Sequence, residues 1–193
     1  MNFVNLPPFV KDIEQANTSA ASPSLPACRC RMSRNRVGVM KWLKFRKATV
    51  ADVVPLSGLI QRTIRVSNAK DYDQKSIDML CAIFEPEPLT ERIENEAILL
   101  CFAGANLVGT VGLKGDYLRS LFVDPAFQGQ GLGKVLTARI EEEARQRAIP
   151  EMMLHSSLTA REFYAALGYE FVELQSYPEG PFVLMRKPLN VRP

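Results

Sequence analysis

No run of apolar residues in this 193-residue chain approaches the roughly eighteen needed to cross a bilayer, so no transmembrane helix and no membrane partner are expected. Histidine occurs once, at His155. One histidine gives no constellation of metal ligands, and no metal is expected. Cysteine is sparse too. Cys28 and Cys30 are separated by one residue, not by the two of common zinc and redox motifs. Cys81 and Cys101 sit in apolar surroundings and read as small core residues. A reducing, cytoplasmic setting fits this usage. No secretory signal is expected, because Lys11, Asp12 and Glu14 interrupt the start of the chain, whereas Arg29, Arg31, Arg34 and Arg36 among small residues leave a mitochondrial presequence open.

Excess charge is absent from the part that folds. Residues 1–40 carry five basic and two acidic side chains, whereas residues 41–193 carry nineteen of each. A neutral domain gives no electrostatic reason to bind nucleic acid. Residues 1–40 also lack any lasting helical or strand period and are interrupted by Pro7, Pro8, Pro23 and Pro26. Residues 1–43 are therefore expected to be a disordered extension. Met40 directly precedes the first strand-like segment and is a candidate translation start beside Met1.

From there, periodicity carries the reading. Lys41–Lys47 alternates as a strand does. Thr49 and Asp52 form a capping box, and Val53, Leu56, Ile60 and Ile64 give the following helix an apolar face. Further helices are predicted over residues 73–84 and 88–94. Strands are predicted over 97–102, 106–113 and 117–123, with a tight turn at Gly104. An apolar stripe through Leu132, Val135, Leu136, Ile140 and Ala144 predicts a helix to about residue 147. A short strand follows at 152–155. Thr159 and Glu162 then make a second capping box for a helix that stops at Gly168. Strands at 170–174 and 182–186 complete an α+β layout in which helices pack on one central sheet.

The segment Gln128-Gly129-Gln130-Gly131-Leu132-Gly133-Lys134 falls between a strand and a helix. A helix N-terminus offers unpaired N–H groups and a partial positive charge, so it suits an anion. Glycines let the backbone approach such a ligand closely. Lys134 is unfavourable for the helix dipole by itself, which makes an anionic partner more plausible. Two common phosphate motifs fail here. A Walker loop needs glycine where Gln128 stands and Ser or Thr where Val135 stands. The dinucleotide fingerprint G-x-G-x-x-G, begun at Gly129, would need its third glycine at Lys134. The pattern Q/R-x-x-G-x-G/A is matched in full by Gln128, Gly131 and Gly133.

On that pattern the chain resembles the GNAT superfamily of acyl-CoA-dependent N-acetyltransferases over residues 44–187. Two further segments support the resemblance. Leu118–Pro125 is similar to the family's central strand and its exit. Ser156–Tyr169 is similar to its second signature, with Ser157 where asparagine is common. The resemblance implies a mixed, mostly antiparallel sheet flanked by helices and splayed at the acetyl-CoA site. It implies that the pantetheine arm lies along the backbone of Leu121, Phe122 and Val123. The pyrophosphate would rest on Gln128, Gly129, Gln130, Gly131, Leu132, Gly133 and Lys134, with a polar contact at Ser157. A backbone N–H of the strand would polarise the acetyl carbonyl. An amine would attack directly, without a covalent acyl-enzyme, and Tyr164 would protonate the leaving thiolate.

The general base is less legible. The central strand has no glutamate, only Asp116 near its start. His155 has a suitable unperturbed pKa and is the candidate, against a packing role that would look the same. Asp71, Asp73 and Glu179 are candidates to bind a cationic acceptor, and Tyr72 and Tyr177 to line its pocket. The expected partner is a small-molecule or peptide amine. Pairing of two copies through sheet edges or terminal strands is common in the family, and the residues leave it open here. A non-catalytic acyl-CoA-binding regulatory module would carry the same turn and is the alternative.

Overall fold

The computed structural model describes residues 42–190. The expected extension lies outside them apart from Trp42 and Leu43, as does Met40. The chain opens with β1 (Leu43–Lys47) and the capping box, whose Thr49 N–H donates to Asp52 Oδ2 at 2.9 Å. Arg46 clamps the same carboxylate at 2.6 and 2.7 Å. Helix α1 (Val53–Ser67) then buries Leu56, Ile60 and Ile64, as its spacing predicts. Asp73 caps α2 (Gln74–Ala82) by accepting from Ser76 N–H at 2.8 Å. Pro86 starts α3 (Pro86–Asn95), where its missing N–H costs nothing.

Strands β2 (Ala97–Ala103), β3 (Asn106–Lys114) and β4 (Tyr117–Val123) form a meander. Helix α4 (Leu132–Gln146) leads to β5 (Glu151–Ser157). A short 3-10 turn and α5 (Arg161–Ala165) precede β6 (Glu170–Tyr177) and β7 (Gly180–Pro188). The strands join in the order β1-β2-β3-β4-β5-β7-β6. Every neighbouring pair is antiparallel except β4 and β5.

Each face of this sheet has its own apolar core. On one, Leu136 and Ile140 of α4 meet Val111, Leu113 and Met152. On the other, Leu56, Ile60 and Leu89 from α1 and α3 meet Ile98 and Leu100. Burial of this kind contributes about 25 cal/mol per Å² of apolar surface, and it fixes the helices on either side of β4.

One local expectation is overturned. The expected helix forms, but Thr159 does not cap it. Residues 158–160 form the 3-10 turn, and α5 starts after Ala160, which offers no side-chain cap. The Thr159 hydroxyl donates instead to Asp71 Oδ2 at 2.5 Å, a contact across 88 positions of sequence that a local capping rule does not see.

Candidate active site

The centre of the sheet is irregular where a ligand would need it to be. Thr110 pairs with Phe122 and Gly112 with Arg119, so Ser120 and Leu121 stand opposite the single residue Val111. This is a β-bulge, which leaves an extra residue unpaired and re-aims the strand. Ser120 lies in it at φ 53°, one of two non-glycine residues with positive φ among those described. On its other edge β4 registers with β5 only at Tyr117 and Met153. Beyond that point the two strands diverge. The backbone of Leu121, Phe122 and Val123 therefore borders a gap.

The turn after β4 is held from the side of α1. Arg62 pairs with Asp124 at 2.6 Å, and Asp124 accepts from Ala126 N–H at 2.9 Å. The Gln128 amide donates to Ser67 Oγ at 2.9 Å and to Val123 O at 3.0 Å. Gly131 is the N-cap of α4 at φ 88°, and no side chain caps the helix. Leu132, Gly133 and Lys134 thus begin α4 with backbone N–H groups that no side-chain cap engages. A Cβ on Gly129 or Gly131 would have no atom within 4 Å, so the cradle is open on the side where a ligand would lie. This fits a pyrophosphate bound through backbone N–H groups.

The facing wall comes from β5 and α5. Phe163 reaches the first turn of α4 and Tyr164 is buried behind it, the two rings meeting edge to face at 5.1 Å. Burial pushes the Tyr164 phenol far above its ordinary pKa, so it keeps its proton. The His155 ring stacks on Tyr117 with centroids 5.7 Å apart, and its Nε2 lies 3.0 Å from Gln175 Oε1. Burial holds the imidazole pKa below 6.5, the Gln175 bond opposes that shift, and the positive charge of Arg119 adds to it. His155 is therefore neutral at physiological pH.

A cavity of about 500 Å³ joins these walls. The strand residues Leu121, Phe122 and Val123 border it. So do Gln128, Gly129, Gly131, Leu132, Gly133 and Lys134 of the turn. Ser157, His155 and Tyr164 border it from the opposite wall. Gln130 does not; its amide turns back to Ala126 O at 3.1 Å.

The acceptor-side candidates fare differently. Asp73 is occupied as the α2 cap and Asp71 by Thr159. The Tyr72 hydroxyl donates to Pro181 O at 2.8 Å and accepts from Leu158 N–H at 3.1 Å, which latches the α1–α2 loop across the cleft. Glu179 is buried, and neither it nor Tyr72 nor Tyr177 borders the cavity. That part of the wall is instead made by Leu80, Ile83, Phe84, Phe182, Arg92 and Arg119. The two arginines were missed in the sequence reading. The available signal was Arg119 itself, the one charge inside the central strand.

A splayed mixed sheet with an open glycine turn opposite a buried tyrosine is the arrangement expected of a protein that binds a nucleotide-linked acyl donor. Residues 68–189 match the acetyltransferase (GNAT) domain family, and the chain belongs to that family. Over 130 residues it is 28% identical to the glucosamine 6-phosphate N-acetyltransferase of Trypanosoma brucei brucei, covering 65% of this chain and 79% of that one. It matches the histone acetyltransferase TAP1 of Glycine max at 42% identity over 50 residues, 26% of this chain and about a fifth (22%) of that protein's length. A GCN5-related N-acetyltransferase structure from Rhodopseudomonas palustris superposes with TM-score 0.72 at 23% identity, over 76% of this chain and 95% of that one. A Thermoplasma acidophilum N-acetyltransferase solved with coenzyme A does so with TM-score 0.64 at 20% identity, over 76% and 98%. These structures share the fold.

Proposed function

We propose that the protein transfers the acetyl group of acetyl-CoA directly to a primary amine, most readily that of a small molecule. The observation that carries this is the meeting of two differently furnished half-cavities at the β4 bulge. One half has the open glycine turn, Lys134 and Tyr164. The other has an apolar wall with two arginines.

The donor's phosphates would rest on the first turn of α4 and its uncharged arm along Leu121–Val123. That a Thermoplasma acidophilum protein of the same fold was solved with coenzyme A supports coenzyme A as the carrier. A bulge frees a backbone N–H from the ladder, and at Ser120–Leu121 it would polarise the thioester carbonyl. Neutral His155 would take a proton from the bound ammonium and so free the amine that attacks the thioester carbonyl. The protonated Tyr164 phenol would hydrogen-bond to the sulfur as its negative charge develops.

A small acceptor is favoured over a peptide because the cavity wall carries arginine and no carboxylate side chain. A lysine-rich peptide would meet like charge there. Thiol release from acetyl-CoA with a panel of small amines and peptides tests the reading. Acetylation of small amines supports it. Coenzyme A binding with no transfer to any amine would leave a regulatory module.

A further inference from the structure

Beneath β4 lies a cluster of three charged side chains that the transfer chemistry does not require. Arg119 Nη1 donates to Glu96 Oε1 at 2.7 Å, and Arg92 Nε lies 3.4 Å from the same oxygen. Arg92 Nη2 donates to Ser120 Oγ at 3.0 Å. The Arg92 side chain retains 6% of its exposure and that of Glu96 1%. Arg92 Nη1 is buried with no hydrogen-bond partner. The guanidinium of Arg92 also lies over the Phe84 ring, 4.9 Å from its centroid.

The two guanidinium groups converge on the single oxygen Glu96 Oε1, and Arg92, the more distant of the two, keeps its Nη1 buried without a hydrogen-bond partner. A guanidinium does not shed its proton. A buried charge without a full counter-charge is costly, and it is retained more easily when a ligand completes it. Arg92 and Arg119 both border the cavity, and no aspartate or glutamate does. On the transferase reading the donor's own negative charges sit at the far end, at α4, and the arm that reaches the bulge is neutral.

We propose that the acceptor is a compact amine that carries an anionic group, a carboxylate or a phosphate, and that Arg92 binds that group. This rests on the transferase reading given above. The anion must lie near the nitrogen, because Arg92 is bonded to Ser120 and Ser120 lies in the bulge assigned to the thioester. Leu80, Ile83, Phe84 and Phe182 suit an apolar body beside these two groups. Arg92 is then the residue that separates an acidic amine from its neutral analogue. A site built to pair with a charged group rejects analogues that lack it, because its own charge is left unmatched.

The experiment compares matched acceptors on the full-length chain with acetyl-CoA: leucine, leucinamide and isopentylamine, and 2-aminoethyl phosphate against ethanolamine. The expected result is a kcat/KM for leucine or for 2-aminoethyl phosphate at least about tenfold above its neutral analogues. Which acid is preferred separates carboxylate from phosphate. Arg92→Gln should abolish the preference by raising KM for the acid alone, and Arg92→Lys should restore part of it. The wild-type comparison stands even if a variant fails to fold.

Neutral analogues acetylated as well as the acids would overturn the proposal. So would an Arg92→Gln loss of kcat that is equal for acidic and neutral acceptors, which would assign Arg92 to the leaving thiolate instead. If no amine is acetylated, thermal stabilisation of the CoA-bound protein is the second readout. Stabilisation by leucine or 2-aminoethyl phosphate and not by the neutral analogues keeps the anion site while the transferase reading fails. Stabilisation by none of them overturns the anion site too.

Discussion

Gly133 and Phe163 meet across the cleft: a Cβ on Gly133 would lie 3.1 Å from the Phe163 ring. The first turn of α4 and the helix carrying Tyr164 are thereby held against each other, and the two glycine- and aromatic-bearing segments of the sequence become one wall. Gly133→Ala must push the ring aside by a few tenths of an ångström. We expect a loss of about 1 kcal/mol in stability, and a rise in KM for acetyl-CoA larger than any fall in kcat. Denaturant melts and initial rates check both. An unchanged KM would show that this contact does not shape the donor site.

Tyr164 is protonated throughout the physiological range because burial raises its pKa. Tyr164→Phe keeps the ring packing against Phe163 and Tyr169 and removes only the hydroxyl. The expected outcome is a fall in kcat of about 10²-fold or more, with little change in KM for acetyl-CoA or in melting temperature. Full turnover by this variant at every pH would remove the hydroxyl from the chemistry.

His155 should leave its mark on the acid limb of the rate profile. Its pKa in the folded protein is below 6.5, so the neutral, basic form persists as pH falls past 6.5. We expect kcat/KM to decline with an apparent pKa below 6.5, and that limb to vanish in His155→Gln along with most of the rate. The same depressed pKa has a consequence for folding. The unfolded chain takes up the proton first, so His155 lowers stability as pH falls through 6.5. A variant that retains the limb would assign it to another group.

Asp52 offers a test of the fold remote from the cavity. The Arg46 hydrogen bonds, with smaller help from Thr49, hold its carboxyl far below the ordinary 3.8. A depressed folded pKa stabilises above the unfolded value and loses that contribution as pH falls below it. Asp52→Ala should cost about 1 kcal/mol at pH 7, and the gap from the natural protein should narrow below pH 3.8. Denaturation at the two pH values measures it. A pH-independent gap would mean that the carboxylate acts by packing alone.

The glycine turn and the strand and helix that flank it were legible in the sequence because they depend on local rules. Gln128, Gly131 and Gly133 act through backbone conformation at one helix start, and the strand before and the helix after them follow from periodicity. The acceptor side depends on contacts between distant segments. Arg92 reaches Ser120 from 28 positions away, and Tyr72 reaches Pro181 from 109. Nothing in the spacing of Asp71 or Tyr72 shows that each is committed to a distant partner. The cap expected at Thr159 failed because a distant carboxylate took the hydroxyl that the local rule assigned to it, although the helix itself forms two residues on.

The central claim is direct transfer from acetyl-CoA to an amine bound at the β4 bulge. Intact-mass analysis of the protein, made during turnover with acetyl-CoA and an acidic amine acceptor, tests it most directly. The account predicts N-acetylated acceptor in amounts equal to the coenzyme A released, and a protein mass that never gains an acetyl group. An acetylated protein that later discharges to the amine, or coenzyme A binding without any acetylated acceptor, would contradict it.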